Sequence, residues 1–337
     1  MIIGMRTGET HLDPSPTRPE GQIARWLSLQ AVSISSRYHF IDDSRGVTVA
    51  NNNQYQVSFK GTLHLVEKDK LSIKAGVFSG NNFNGGWNAS GLGSGDGQSN
   101  LFLKQLYLSA KPAQGVELQF GSLYFEYGES TEITSYDFDG YLTGERLKLT
   151  RPHQLFFDEV SVTFGYVGDL NQPGVNKRLR RLQQSNYHQF LVAKNLGKRT
   201  SISADYSFES GVDTFRQAIK VQTAGLRIMD TLHFENYQRT GFASGYGFGV
   251  YGEKNLSNRF SLGGGFARID RSGLNSDRFA RGRRIHLNSH ITLNPEMSLT
   301  VSFTQAIAND QPTLPSTRLD LAINYNLLET LKKTGLF

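Results

Sequence analysis

The sequence predicts an all-β fold: a transmembrane, up-and-down antiparallel β-barrel of about sixteen strands. Three observations predict it. The first is a two-residue alternation that sets a wholly apolar face beside a wholly polar one. Ile285, Leu287, Ile291 and Leu293 share one parity, while His286, Asn288, His290 and Thr292 share the other. After Asn294-Pro295-Glu296 the pattern resumes, with Leu299, Val301 and Phe303 against Ser298, Thr300, Ser302 and Thr304. Period two means strand, and the two faces meet different media. The second observation is that connection lengths alternate: most long ones follow odd-numbered strands and all the tight ones follow even-numbered strands. Short turns at one end and long loops at the other are what an up-and-down barrel produces. The third is an argument from size. So many strands with apolar faces inward would enclose a space too wide for side chains to fill. Facing outward, they form a lipid-facing band, and closure leaves no unpaired edge in hydrocarbon.

The elements follow in order. Residues 1–22 contain Asp13-Pro14-Ser15-Pro16-Thr17-Arg18-Pro19, which cannot join a ladder and reads as an extended periplasmic lead-in. A first strand covers about residues 24–40, turned by Asp42-Asp43-Ser44-Arg45-Gly46. The second sets Tyr55, Val57, Phe59, Gly61, Leu63 and Leu65 against Gln54, Gln56, Ser58, Lys60, Thr62 and His64. A turn at Glu67-Lys68-Asp69-Lys70 leads to Leu71, Ile73, Ala75 and Val77 on the third. Residues 80–100 form a Gly/Asn/Ser-rich loop. The fourth strand, 101–110, has mixed parity and takes no orientation from its sequence. Val116, Leu118 and Phe120 mark the fifth, followed by a second long loop at 124–140. Strands at 141–151 and 158–168 precede a basic loop at 169–186. Six more strands fall between 187 and 269, of which the first, the eighth overall, is unassigned to a face. A long Arg/Asp loop covers 270–282, the hairpin described above follows, and a last strand runs from Arg318 to Leu327. The barrel thus occupies 23–327, and residues 328–337 form a short periplasmic tail that is helical up to Gly335.

Composition sets the remaining bounds. No compositional shift divides the 337 residues. There is no Cys, which fits a chain that crosses an oxidising space without disulfides. The net charge of +6 suits lipopolysaccharide phosphates, anionic solutes and nucleic acid equally, but the barrel pattern leaves no nucleic-acid partner to expect. No run approaches the ~18 apolar residues of a spanning helix. The beginning lacks a secretory h-region, so an exported protein is represented by its mature or trimmed form.

The alternating strands, the Gly-Asn loop, the acidic-aromatic loop at 124–140 and the final Leu319-Asp-Leu-Ala-Ile-Asn-Tyr325 resemble Gram-negative outer-membrane porins, in particular the alginate-export-like, substrate-specific barrels. The resemblance implies a water-filled channel in the outer membrane for small hydrophilic solutes, surrounded by lipid and lipopolysaccharide. A homo-oligomer, or association with another outer-membrane complex, is compatible with it. The chain departs from the pattern at its end, where Leu328 to Phe337 continue past the aromatic Tyr325.

Polar parity assigns Lys60, Lys74, Arg146, Lys148, Arg216, Lys220, Arg284 and Arg318 to the lumen, with Glu117, Glu159, Asp205, Glu235 and Asp320 against them. Charged rings set pore selectivity, and the basic excess leans toward anions. By the resemblance, the 124–140 loop folds inward, so that Glu129, Glu132, Asp137 and Asp139 face Arg146 and Lys148 across a constriction. The basic loops at 177–181 and 268–284 are the candidates for lipopolysaccharide phosphates. No cofactor, metal or catalytic role is expected. His286 and His290, at i and i+4 on a strand, stand ~13 Å apart, too far to share a metal. The alternative reading is a structural or conduit barrel that encloses or scaffolds a partner protein, with small polar residues lining its lumen.

Overall fold

The computed structural model describes residues 26–66, 70–79, 102–131, 142–150, 156–168, 179–223, 228–270, 274, 281–308 and 315–333. Sixteen antiparallel strands close a barrel in simple sequence order, each paired with its chain neighbours and the first with the last. The first half comprises β1 (Leu27–Asp43), β2 (Thr48–Val66), β3 (Leu71–Ser79), β4 (Phe102–Ala113), β5 (Val116–Leu123), β6 (Leu142–Thr150), β7 (Glu159–Tyr166) and β8 (Tyr187–Leu196). The second comprises β9 (Thr200–Glu209), β10 (Val212–Gln222), β11 (Thr231–Thr240), β12 (Gly245–Ser257), β13 (Phe260–Ile269), β14 (Gly282–Thr292), β15 (Met297–Ala308) and β16 (Pro315–Asn326). A helix, α1 (Leu327–Lys333), follows directly. No described helix is long and apolar enough to cross a membrane.

The distribution of side chains is inverted relative to a soluble protein. On β14, Ile285 and Leu287 are exposed, with Leu287 at 53%, while Arg284, His286 and Asn288 between them are buried. Tyr55, Val57 and Phe59 face out on β2, and Gln54, Gln56 and Ser58 face in. Burying polar groups while exposing Leu and Phe is unfavourable in water. With lipid outside and polar partners inside, the same arrangement is favourable.

Closure is made by β1 and β16, whose register runs from Ser33 opposite Asn326 to Asp43 opposite Pro315. β1 reaches three residues beyond its expected end, so Asp42 and Asp43 lie in the strand rather than in the turn. The Asp43 carboxylate explains the extension. It accepts the backbone N–H groups of Arg45 (2.8 Å) and Val47 (3.0 Å) and the Arg45 Nε (2.9 Å), closing a turn that needs Gly46 at φ +75°. Leu328 of α1 is buried, and Tyr325 and Thr330 join hydroxyls at 2.8 Å. Lys333 donates to Glu296 in the β14–β15 turn. Residues 327–333 are therefore docked as a helix at the end of the barrel where β1 starts and β16 finishes.

Two strands resisted orientation for physical reasons. On β4 the register slips: Leu103 pairs with Val77 but Gln105 pairs with Gly76, which leaves Lys104 as an extra residue. Such a bulge flips parity within the strand. On β8 the inward positions include Tyr187 and Leu191, both fully buried, so both of its faces carry apolar residues.

Candidate functional site: the lumen wall and the segment folded onto it

Each of Lys60, Lys74, Arg146, Lys148, Arg216, Lys220, Arg284, Arg318, Glu117 and Glu159 stands on the inward parity of its strand. They do not form one cluster. Lys74 on β3 lies 3.5 Å from Glu117 on β5, and Ser109 also donates to that carboxylate. On β10, Arg216 pairs with Asp205 of β9 at 3.3 Å and donates to Ser207 at 3.0 Å. On the opposite side, Arg318 and Asp320 pair at 2.5 Å, the His39 Nδ1–H donates to Asp320 at 2.5 Å, and Arg37 donates to Gln54 at 2.8 Å. Arg284 and His286 are buried beside them, with His286 bonded to Thr304 at 2.9 Å. Lys60 lies 5.7 Å from the ring centre of Phe78, over which Lys104 also sits at 4.8 Å.

The connection after β5 turns into the barrel. Residues 124–131 lie along the inner wall, and the contacts trace their path. Tyr124 accepts from Arg146 on β6 (2.6 Å), and the Glu126 carbonyl accepts from Gln189 on β8 (2.7 Å). The Glu129 N–H donates to Ser203 on β9 (2.8 Å), and the Thr131 N–H donates to Glu235 on β11 (2.6 Å). From β6 to β11 is five inter-strand spacings, roughly 24 Å. The segment runs along them as a strap with one turn in it, closed by the Ser130 N–H donating to the Tyr127 carbonyl at 2.9 Å. Gly128 adopts φ +56° with its α-carbon against Ser203, where a Cβ would collide.

An apolar patch anchors the strap. Leu123, Phe125, Leu142, Val167, Tyr107 and Tyr187 form a buried cluster inside the barrel, with Tyr124 and Tyr127 packed on it. Phe125 meets Tyr187 edge-on at 5.5 Å. This is why β8 carries apolar residues inward: it supports the strap rather than lining open water.

The strap also fixes the main charge constellation. Glu126 lies directly on the basic residues of β6, 3.1 Å from Lys148 and 3.7 Å from the Arg146 Nε, and Lys148 reaches Glu159 at 2.9 Å. Arg146 further donates to Gln119 (3.0 Å) and Thr163 (2.9 Å). These charges stand side by side on one wall. Of the acidic residues expected there, Glu129 lies on the strap, while Glu132, Asp137 and Asp139 lie outside the described residues. Glu126 of the acidic-aromatic loop stands on the inner wall, as do Lys104, Arg37, His39, Glu209, Arg239 and Glu253, which sequence reasoning did not single out. Lys104 was hidden by the bulge.

The glycine runs at 245–249 and 263–265 have a structural account. Tyr237 lies over Gly247, and Tyr251 lies over Gly263 and Gly265, so that a Cβ at any of the three would collide with a ring. Both tyrosines lie flat and buried against the wall of β11–β13, and the Tyr251 hydroxyl donates to Asn288 at 2.6 Å.

No family model and no curated protein matches the chain. Solved structures do resemble it. OmpF of Salmonella typhi, in complex with daunomycin, aligns with a TM-score of 0.59 at 11% identity, over 89% of this chain and 97% of that one. A triple mutant of the Rhodopseudomonas blastica porin aligns at 0.56 and 11% identity, over 89% and 99%. OprB of Pseudomonas putida, at low pH, aligns at 0.52 and 10%, over 90% and 93%. What these proteins share with the chain is the fold, a closed sixteen-stranded porin barrel.

Proposed function

We propose that the chain resides in the outer membrane of a Gram-negative bacterium and forms a water-filled channel for passive diffusion of small hydrophilic solutes, with a lean toward anions. The observation that carries this reading is the inversion: an exposed apolar band outside a polar, charged inner wall, closed without an edge. Nothing but a bilayer suits such a surface, and a polar lumen of this breadth suits water. The strap at 124–131 narrows that lumen from one side and makes the Glu126–Arg146–Lys148 cluster part of its wall. The anion lean rests on Lys60, which has no carboxylate in salt-bridge reach among the described residues, and on the Arg284 side of the barrel. Lipopolysaccharide phosphate is the proposed outer partner. Arg268 and Arg283 stand directly opposite each other, facing outward at the rim that carries the long connections. Arg268 is already paired with Asp270 at 3.0 Å, so Arg283, which has no carboxylate in salt-bridge reach among the described residues, is the guanidinium that a phosphate would take there.

Planar-bilayer recording of the purified barrel tests the channel. Steady ohmic steps are expected, and persistent silence in correctly folded protein favours the scaffolding alternative, in which a partner fills the lumen. Gly128→Val, which drives a side chain into Ser203, is expected to displace the strap and raise single-channel conductance. An unchanged conductance in that variant removes the strap from the narrowest part of the pore.

A further inference from the structure

The pattern Lys-Asn-Leu-x-x-Arg occurs twice, from Lys194 to Arg199 and from Lys254 to Arg259. The copies form the β8–β9 and β12–β13 turns, at the end of the barrel that carries α1. They make the same bonds. In the first, the Asp158 carboxylate accepts the Asn195 N–H at 2.7 Å and lies 3.8 Å from the Lys194 ammonium. In the second, the Asp230 carboxylate accepts the Asn255 N–H at 2.8 Å and the Lys254 ammonium at 2.6 Å. The Arg199 carbonyl accepts the Gln222 N–H at 2.7 Å, and the Arg259 carbonyl accepts the Thr292 N–H at 2.8 Å. Each copy thus pairs its lysine with a carboxylate from a neighbouring turn and engages only the backbone of its arginine. Both arginine side chains are exposed, and neither has a carboxylate in salt-bridge reach among the described residues. Three residues before each arginine stands a leucine on the outward parity of its strand, Leu196 at 49% exposure and Leu256 at 54%.

An exposed leucine beside an exposed guanidinium suits neither water nor hydrocarbon alone. The pair suits the boundary between them, where the leucine enters the acyl region and the guanidinium reaches the phosphates. The short turns of such a barrel face the periplasm. We propose that these two turns bind the phosphates of anionic phospholipid in the periplasmic leaflet, with Arg199 and Arg259 as the phosphate ligands and Leu196 and Leu256 against the acyl chains. This rests on the membrane reading above and goes beyond it, to the rim opposite Arg283. A guanidinium offers a phosphate two parallel N–H donors. Lys198, also exposed, adds a second positive charge to the first turn. The carboxylates Asp158, Asp230 and Glu296 at this rim are each paired with a lysine, so an arriving phosphate meets little repulsion. The same pairing leaves them unsuited to the ammonium of an ethanolamine headgroup, which favours lipids whose net charge is negative. Four inter-strand spacings, roughly 19 Å, separate the turns, so each holds its own lipid.

Native mass spectrometry of the folded barrel in detergent tests this, with phosphatidylglycerol and phosphatidylethanolamine of the same chains titrated separately. Two phosphatidylglycerol sites are expected, about tenfold tighter than those for phosphatidylethanolamine. Arg199→Gln and Arg259→Gln are each expected to weaken one site about fivefold (about 1 kcal/mol). Glutamine keeps the backbone carbonyl bonds, so both turns retain their fold. Leu196→Ser with Leu256→Ser is expected to weaken both sites without a change of charge, and inorganic phosphate at equal concentration is expected not to compete. Equal affinity of the unmodified barrel for the two lipids overturns the proposal without recourse to any variant. Undiminished phosphatidylglycerol binding in the double arginine variant overturns it too, and so does competition by inorganic phosphate, which marks a free-anion site. Arginine-dependent sedimentation with peptidoglycan in place of lipid preference gives these turns a different partner and likewise overturns it. Conductance of the unmodified protein is recorded separately, so a conducting barrel without lipid preference sinks this inference and leaves the channel reading standing.

Discussion

At the residue scale, the same side chain has opposite energetics on the two faces of a strand. Leu287 is half exposed at the middle of β14, with His286 and Asn288 buried on either side of it. In a soluble core, Leu→Ala costs about 2–5 kcal/mol because a cavity remains. At a lipid-facing position the acyl chains move in, so Leu287→Ala is expected to cost well below that range. Leu287→Arg is expected to cost about 2–4 kcal/mol, because the charge is placed near the bilayer midplane. Denaturant unfolding of both variants in lipid vesicles measures the difference. A reversed order, with Ala the worse substitution, places Leu287 in a protein interior and ends the lipid-facing assignment.

At the element scale, α1 is held outside the strands by contacts that respond to pH. Its bond from Lys333 holds the Glu296 carboxyl below the usual carboxylate range, and the same bond holds the Lys333 ammonium above the usual lysine range. A depressed carboxyl stabilises the docked helix above its free pKa of about 4.3 and loses that contribution as pH falls through the bound value. A raised ammonium stabilises it below about 10.4 and loses the contribution as pH rises above the bound value. Docking is therefore strongest between these limits. A spin label at Leu331 is expected to gain mobility in acid, and Glu296→Gln to abolish that response; acid-insensitive mobility in the parent means the pair does not hold the helix. Elements also set what could be read from sequence. β2, β14 and β15 were legible because one medium touches each face, and so each alternates cleanly. β4 was not, because the bulge at Lys104 switches its parity midway. β8 was not, because Tyr187 and Leu191 face inward to carry the strap. The strap's route over Ser203 and Glu235 was not legible either, since those contacts join residues more than seventy positions apart.

At the scale of the whole molecule, the question is whether the lumen acts through net charge or through local fields. Much of the basic wall is already compensated: Lys74 by Glu117, Lys148 by Glu126 and Glu159, Arg216 by Asp205, and Arg318 by Asp320. Paired charges contribute local dipoles that orient a passing solute but little long-range potential, which leaves Lys60 and Lys220, neither with a carboxylate in salt-bridge reach among the described residues, and the Arg284 side to set the sign. A lean that rests on so few charges is easily screened. The Debye length falls from about 10 Å at 0.1 M salt to about 3 Å at 1 M, less than the half-width of a pore of this strand number. Reversal potentials in a salt gradient near 0.1 M are thus expected on the anion side and small. They should approach the ratio of free ion mobilities near 1 M. Lys60→Glu is expected to move the 0.1 M value to the cation side without changing conductance at 1 M. A wild-type channel that favours cations at 0.1 M contradicts the assignment of Lys60. One whose selectivity is strong and insensitive to salt shows instead that the selecting charges lie at a constriction too narrow for counterions to share.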